Sequence, residues 1–299
     1  MKKMINKTHI EGLVYENELK LSVAGPTAKN PGMEYINGKI NILTGNENIV
    51  TVNMYEAALT SKGATNAKFA TAKALLDAKT VMADGAELAT AVKIDSAISL
   101  NEWYKGEELV STPQNFGGFI HIVSKAVPSA TFETDVVIVR TSPEMAKSET
   151  DPNDMVETGR LTVHGYIFDF MGSILPVKYI VENPNGVAFF EAMEPNTFTK
   201  VWGNQVSSVF KSTKVEESAF GDSKVVESEF TRKEWVVTGA MKEAYTDETM
   251  LTPQELQDAM ANRNIKLAGI KQRQAERQQA TATTPSNPLA SVNAGGFNF

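Results

Sequence analysis

The stretch KIDSAISLNEWYKGEELVS, residues 93–111, has the pattern of a β-hairpin: an apolar strand, a bend at Gly106 and the start of a returning strand. Trp103 and Tyr104 are neighbours on that strand, so their side chains must point to opposite faces. At most one of the two rings can therefore belong to a core. The corner with Lys105 is either a ligand platform or a turn whose rings pack locally.

The flanking segments predict a small β-unit interrupted by one helix. In residues 34–43, Ile36, Ile40 and Ile42 repeat at period two with Lys39 on the other face, which is typical of a half-buried strand. Residues 65–82 are alanine-rich and place apolar side chains at helical spacing. The predicted order is three strands, a helix and two strands, with the strands in residues 10–25, 34–43, 48–55, 91–100 and 117–125.

From about residue 130 the strand pattern starts again. We expect strands in residues 130–141, 160–170, 173–183, 186–193 and 229–245. Residues 142–159 are expected to form a charged loop, residues 183–186 (NPNG) a hairpin turn, and residues 196–212 a short helix. A weak internal repeat relates residues 10–16 (IEGLVYE) to residues 163–169 (VHGYIFD), each with a glycine that would relieve crowding in a bent strand.

A different segment follows at the carboxyl end. Thr252 is expected to be a helix N-cap, with Pro253 and Glu255 in the first turn of a mostly polar helix that is either exposed or docked on a partner. Residues 281–299 have low complexity and are expected to be disordered. The predicted domains are thus 1–128, 129–249 and 250–299.

Composition excludes several classes of protein. The 299 residues include no cysteine, so disulfides and thiol chemistry are ruled out. No stretch approaches the roughly 20 apolar residues of a membrane span, and the start does not resemble a secretory signal, which together favour a cytoplasmic protein. The three histidines are widely separated, and no nucleophile, phosphate-loop or dinucleotide motif occurs, so we expect no enzyme, metal site or cofactor.

Charge is unevenly distributed along the chain. Residues 1–130 carry 13 lysines against 13 acidic residues, whereas residues 131–250 carry 11 basic and 20 acidic residues. Contact with a polyanion is therefore expected in the first domain rather than in the second.

Units of five strands with a helix between the third and fourth have the layout of the OB-fold. The hairpin of residues 92–125, with its small residue, Trp103, Tyr104 and glycine turn, resembles the late hairpin of single-stranded DNA-binding proteins. The whole chain resembles a phage-type member of that class, mainly β, with two OB-fold-like barrels, a C-terminal helix and a flexible tail. The resemblance implies a non-catalytic protein that coats single-stranded DNA in replication or recombination, in the cytoplasm of a bacterial host.

Such binding needs rings for stacking and cations along the phosphate path. The candidate residues in the first domain are Lys20, Tyr35, Lys39, Tyr55, Lys62, Lys68, Lys93, Trp103, Tyr104, Lys105 and Phe116. Phe297 and Phe299 at the tail are candidates for contact with replication or recombination proteins, and a homo-oligomer is compatible with this interpretation. The alternative is a β-rich structural or assembly protein of a virion.

Overall fold

Eleven strands form one continuous sheet in the computed structural model, which describes residues 4–26, 28–45, 47–148, 154–216, 220, 224–245 and 251–283. This sheet closes on itself twice, which gives two small barrels. The prediction of a mainly β chain with two OB-fold-like barrels, a helix in each and a C-terminal helix is confirmed. Residues 284–299, with Phe297 and Phe299, lie outside the described residues.

The first barrel repeats the OB-fold order of strands. Its elements are β1 (Asn6–Asn17), β2 (Lys20–Val23), β3 (Glu34–Leu43), β4 (Ile49–Ala57), α1 (Ala67–Ala74), α2 (Val81–Asp84), β5 (Ala91–Lys105) and β6 (Glu108–Val123). Strand β1 pairs with β3, β3 with β4, β4 in parallel with β6, β6 with β5, and β5 again with β1. The five strands therefore close, and the helices lie between the third and fourth of them.

Alternating apolar side chains fill this barrel. Ile36, Ile40 and Ile42 of β3 are fully buried, as their period-two spacing predicts, and they pack with Ile10 and Ile94. Helix α1 covers the end of the barrel through its buried Ala72, and the Asn66 side chain caps it by accepting a hydrogen bond from the N–H of Lys68.

The second barrel has the same order of strands. Its elements are β7 (Ser129–Lys147), β8 (Met155–Phe168), β9 (Ile174–Val181), α3 (Pro184–Glu191), β10 (Phe198–Glu216) and β11 (Lys224–Ala240). Strand β7 pairs with β8, β8 with β9, β9 in parallel with β11, β11 with β10, and β10 again with β7. In its core, the rings of Phe132 and Tyr179 stack with their centres 5.3 Å apart, and the buried Phe190 of α3 belongs to the same core.

The first strands of the two barrels pair with each other. An antiparallel ladder of β1 and β7 runs from Asn6 opposite Thr134 to Glu11 opposite Ser129. Strand β5 also crosses to the second barrel, where its Ile98 and Leu100 are buried in that barrel's core. The two barrels therefore share a sheet and part of a core.

The C-terminal helix α4 (Pro253–Thr283) lies across both barrels. Its start is capped as expected: the Glu255 carboxylate accepts from the N–H of Thr252 at 3.0 Å, and the Thr252 hydroxyl accepts from the N–H of Glu255 at 3.2 Å. The buried Ala259 packs on the second barrel, and Arg263 forms an ion pair with Glu102 of β5. The predicted polar helix thus docks on its own chain.

Three local predictions in the second barrel are wrong. The expected hairpin turn at residues 183–186 and the strand at 186–193 form helix α3, because the Asn183 side chain caps it and Pro184 occupies the first turn. The expected helix at residues 196–212 is strand β10, which is rich in valine, threonine and aromatic residues. The turn signal at residues 183–186 and the strand-like residues after it were both misleading, whereas the strand-forming composition of β10 agrees with its structure.

The charged loop expected at residues 142–159 is also wrong for much of its length. Strand β7 continues to Lys147 and β8 begins at Met155, so the segment extends a hairpin. Charge pairing makes this polar strand possible: Arg160 contacts the carboxylates of Glu144 at 3.2 Å and Glu234 at 2.6 Å.

The internal repeat identified in the sequence does not align equivalent strands. Residues 10–16 belong to the first strand of the first barrel, whereas residues 163–168 belong to the second strand of the second. Both glycines do stand where strands approach closely, since a Cβ on Gly12 would lie 2.1 Å from the Leu43 oxygen and one on Gly165 would lie 2.5 Å from Val136. The repetition in this chain is one of topology.

The buried Tyr179 makes the free energy of unfolding decrease at alkaline pH. Burial raises the pKa of its phenol well above the usual value, although the hydrogen bond to Thr134 at 2.7 Å acts in the opposite sense. Because the folded-state pKa lies above the unfolded value of about 10, this stabilisation is complete below pH 10 and is lost as pH rises, by up to about 1.4 kcal/mol per pH unit. Urea unfolding at pH 9 and 11 should show a larger loss for the wild type than for Tyr179→Phe. Equal losses would contradict this assignment.

Candidate nucleic-acid interface

A groove of about 1050 Å³ runs over the ladder where the two barrels meet. Its floor is formed by residues 7–9 of β1 and 131–133 of β7, which face each other in that ladder. One wall comes from β5 and β6 of the first barrel, and the other from β10 and β11 of the second. Neither barrel alone forms this groove.

Exposed rings line the groove on both sides, and we call it the ring groove. These side chains are between 42 and 97 % exposed, although aromatic rings normally contribute to cores. They are Tyr55, Phe116 and Phe119 of the first barrel, and Phe170 and Trp202 of the second. A sixth ring, Tyr35, extends the row, since its centre lies 5.3 Å from the centre of the Tyr55 ring.

Strand pairing is irregular in both walls of the groove. The register of β5 against β6 shifts between Asp95 and Ala97, and that of β10 against β11 shifts between Trp202 and Gly203. Such bulges bend a strand and re-aim its side chains. The Trp202 indole lies across Gly239, where a Cβ would come within 2.5 Å of the ring nitrogen. Glycine at that position leaves room for the ring.

A tight turn between β8 and β9 presents Phe170. The Asp169 carboxylate accepts hydrogen bonds from the N–H groups of Met171 and Ser173, both at 2.9 Å. The turn is therefore fixed while the Phe170 ring is almost fully exposed.

Few cations reach the ring groove. Lys68 holds its ammonium 4.2 Å from the centre of the Phe119 ring, and Lys7 lies on the floor. His9 stands 2.7 Å from the Asp95 carboxylate, and Glu133 is paired with Lys200 at 3.2 Å. A ligand in this groove would therefore find rings for stacking rather than a concentration of positive charge.

The candidate residues predicted from sequence fall into separate groups. Tyr55, Lys68 and Phe116 line the ring groove, and Tyr35 adjoins it. Trp103, Tyr104 and Lys105 lie at the tip of the β5–β6 hairpin. Lys105 is eight residues beyond Ala97, the last β5 residue of the groove, which is about 26 Å along a strand.

At the hairpin tip, one ring is packed and the other is exposed. Tyr104 faces α4, where its backbone N–H donates to Gln274 at 2.9 Å and the Lys271 ammonium stands 5.6 Å from its ring. Trp103 points to the other face and is exposed. The corner thus serves at least as a docking point for α4.

The remaining lysines do not converge on one path. Lys39 forms an ion pair with Glu18 at 2.8 Å, and that hydrogen bond raises the pKa of its ammonium. Lys93 lies opposite Glu11 and His121 in the sheet. Lys20 is on the short strand β2, and Lys62 is in the exposed turn before α1.

Sequence reasoning missed Phe119, Phe170 and Trp202. Each stands within two residues of a glycine, at Gly118, Gly172 and Gly203, in a segment of strand or turn. A ring beside a glycine that permits a bulge was the available signal. For Trp202 it was hidden because its segment was interpreted as a helix.

Other kinds of site receive no support from the described residues. Within the parts of the chain that the structure describes, no three His, Asp or Glu side chains come together as metal ligands. None of the helices described is both long and apolar enough to cross a bilayer.

Solved structures similar to this chain include the wild-type single-stranded DNA-binding protein of Thermus aquaticus, at 9 % identity and a TM-score of 0.47 over 84 % of this chain and 98 % of that one. A deletion mutant of the same Thermus aquaticus protein matches at 9 % identity and a TM-score of 0.46, over 85 % of this chain and 100 % of that one.

No curated protein matches the sequence. A family model described as YorF matches residues 4–273, which is nearly the whole of the part that the structure describes. The chain therefore belongs to the YorF family.

Proposed function

We propose that this chain is a non-catalytic protein that binds single-stranded nucleic acid in the ring groove. The observation that supports the proposal is the row of exposed rings on both walls of one groove. Unpaired bases stack on such rings whatever their sequence, whereas the bases of a duplex are already stacked on each other. Single-stranded DNA is the proposed ligand, and coating of DNA in replication or recombination is the proposed role.

A fluorescence titration tests the proposed function. Oligothymidylate added to the wild-type protein at low salt should quench tryptophan emission, because Trp202 lines the groove. Absence of quenching by a protein whose fold is verified by circular dichroism would contradict the proposal.

Binding should depend only weakly on salt. Each phosphate neutralised on a single strand contributes a slope of about −0.7 to log K against log salt, so Lys7 and Lys68 together give about −1.4. Lys68→Gln should reduce the slope to about −0.7, as measured by titration over a series of salt concentrations. A wild-type slope of about −4 or steeper would mean that the strand follows other cations.

A second candidate function is assembly of a virion or another large structure, and one feature favours it. Among the described strands, β2 ends the sheet and pairs only with β3, while its Leu21 and Val23 are exposed. An edge of this kind can pair with another copy. Light scattering separates the two candidates, since assembly predicts large particles without nucleic acid and the first proposal predicts a small oligomer.

We also keep as proposals the domain limits 1–128, 129–249 and 250–299, and a tail that contacts replication or recombination proteins through Phe297 and Phe299. The charge distribution predicts contact with a polyanion in the first domain only. In the proposed interface the second, acidic barrel takes part as well, through Trp202 and Phe170.

A further inference from the structure

A second concavity, of about 210 Å³, lies where β4 and β6 of the first barrel face β10 and β11 of the second. It has no lining residue in common with the ring groove. We call it the junction pocket and define it by Asn53, Asn101, Asn115, Gln205, Lys233 and Trp235. Its wall is rich in amide side chains, with the Trp235 ring among them.

Asn115 leaves a buried acceptor unused in this pocket. Its side chain is almost fully buried, and its amide nitrogen donates to the Thr51 carbonyl oxygen at 3.2 Å and to Gln205 Oε1 at 2.7 Å. These two bonds fix the orientation of the amide. Its Oδ1 has no hydrogen-bond partner among the described residues. A buried acceptor without a donor is costly, so a ligand that brings an N–H group would be stabilised there.

Two ammonium groups lie beside the pocket. Lys233 donates to the Thr51 hydroxyl at 2.8 Å, and it shares an adjoining depression with Lys39, whose ammonium is paired with Glu18 at 2.8 Å. Burial lowers the pKa of Lys233, and the positive charge of Lys39 lowers it further. An anion beside Lys233 would favour its charged form, because the opposite charge offsets the cost of burial.

We propose that the junction pocket binds one nucleotide, with a base N–H donating to Asn115 Oδ1 and the phosphate held by Lys233. Trp235 supplies the apolar surface for the base. The nucleotide is either free or part of a longer strand, and the second source rests on the function proposed above.

Single-tryptophan variants separate the two sites, because the chain has three tryptophans. Trp103→Phe/Trp202→Phe leaves Trp235 to report on the junction pocket, and Trp103→Phe/Trp235→Phe leaves Trp202 to report on the ring groove. Thymidine monophosphate and oligothymidylate are titrated into each. If the emission of Trp235 changes on addition of thymidine monophosphate, the junction pocket binds a free nucleotide. If it changes only with oligothymidylate, the pocket binds a nucleotide that is part of a strand.

Lys233→Gln in the Trp235 reporter should raise the Kd of the responding ligand about tenfold or more, since a hydrogen bond to a charged group is lost. Lys79→Gln is the matched control, because Lys79 is exposed and lines neither site. The inference is overturned if Trp235 responds to neither ligand, or if both lysine variants bind equally well. Failure of the proposed function would be seen separately, as no response of Trp202 to the oligonucleotide.

Discussion

Arg263→Met is expected to destabilise the protein by about 3–5 kcal/mol, because it leaves the Glu102 carboxylate buried without its partner. The side chains of Glu102 and Arg263 are only 2 and 8 % exposed, and two nitrogens of the guanidinium donate to the two carboxylate oxygens. This pair fastens α4 of the C-terminal segment to β5 of the first barrel. Urea unfolding measures the loss, and hydrogen exchange over residues 253–276 shows whether α4 detaches first.

The double variant Glu102→Leu/Arg263→Met is the control for this prediction. It removes both charges, so it should recover most of the stability that the single variant loses. Lys271→Gln, which breaks an exposed pair with Glu107, should change stability little. If the double variant is as unstable as Arg263→Met, the buried charge is not the cause of the loss.

The largest expected effect on binding comes from removing one ring on each wall of the ring groove. Each base–ring stack contributes about 1–3 kcal/mol, so Phe116→Ala/Trp202→Ala should weaken binding of oligothymidylate by about 2–6 kcal/mol. This corresponds to a rise in Kd of at least roughly 30-fold. Fluorescence anisotropy of a labelled oligonucleotide measures it without relying on the protein's own emission.

Trp103→Ala provides the matched comparison, since Trp103 is also an exposed ring but lies at the hairpin tip away from the groove. Its Kd should stay within about twofold of the wild type, because no stack is lost. Unfolding midpoints of all variants check that the rings act in binding and not in stability. A larger loss for Trp103→Ala than for the groove variant would move the interface to the hairpin tip.

The barrels could be predicted from the sequence because the apolar residues of their cores recur at a short, regular spacing. Ile36, Ile40 and Ile42 sit two or four residues apart and all face inward, so a local pattern suffices to place that strand. Helix α3 could not be predicted in this way. Asn183 and Pro184 begin a hairpin turn or a helix equally well, and only the packing of Phe190 beneath the second barrel decides between them.

The interface was harder to predict because it depends on pairing between distant strands. Phe116 and Trp202 are 86 positions apart and come together only because β1 pairs with β7. From the sequence, six lysines were expected to act together with five rings. The ring groove instead contains few cations, and Lys39 is occupied by Glu18. Charge counts by segment could not reveal this.

Photochemical cross-linking locates the bound strand most directly. Oligothymidylate carrying a single 5-iododeoxyuridine is irradiated with the wild-type protein, and the linked residues are identified by mass spectrometry. We expect cross-links on Tyr55, Phe116, Phe119 or Trp202, on both walls of the groove. Cross-links confined to Trp103 and Tyr104 at the hairpin tip would contradict the proposal that the two barrels bind a strand between them.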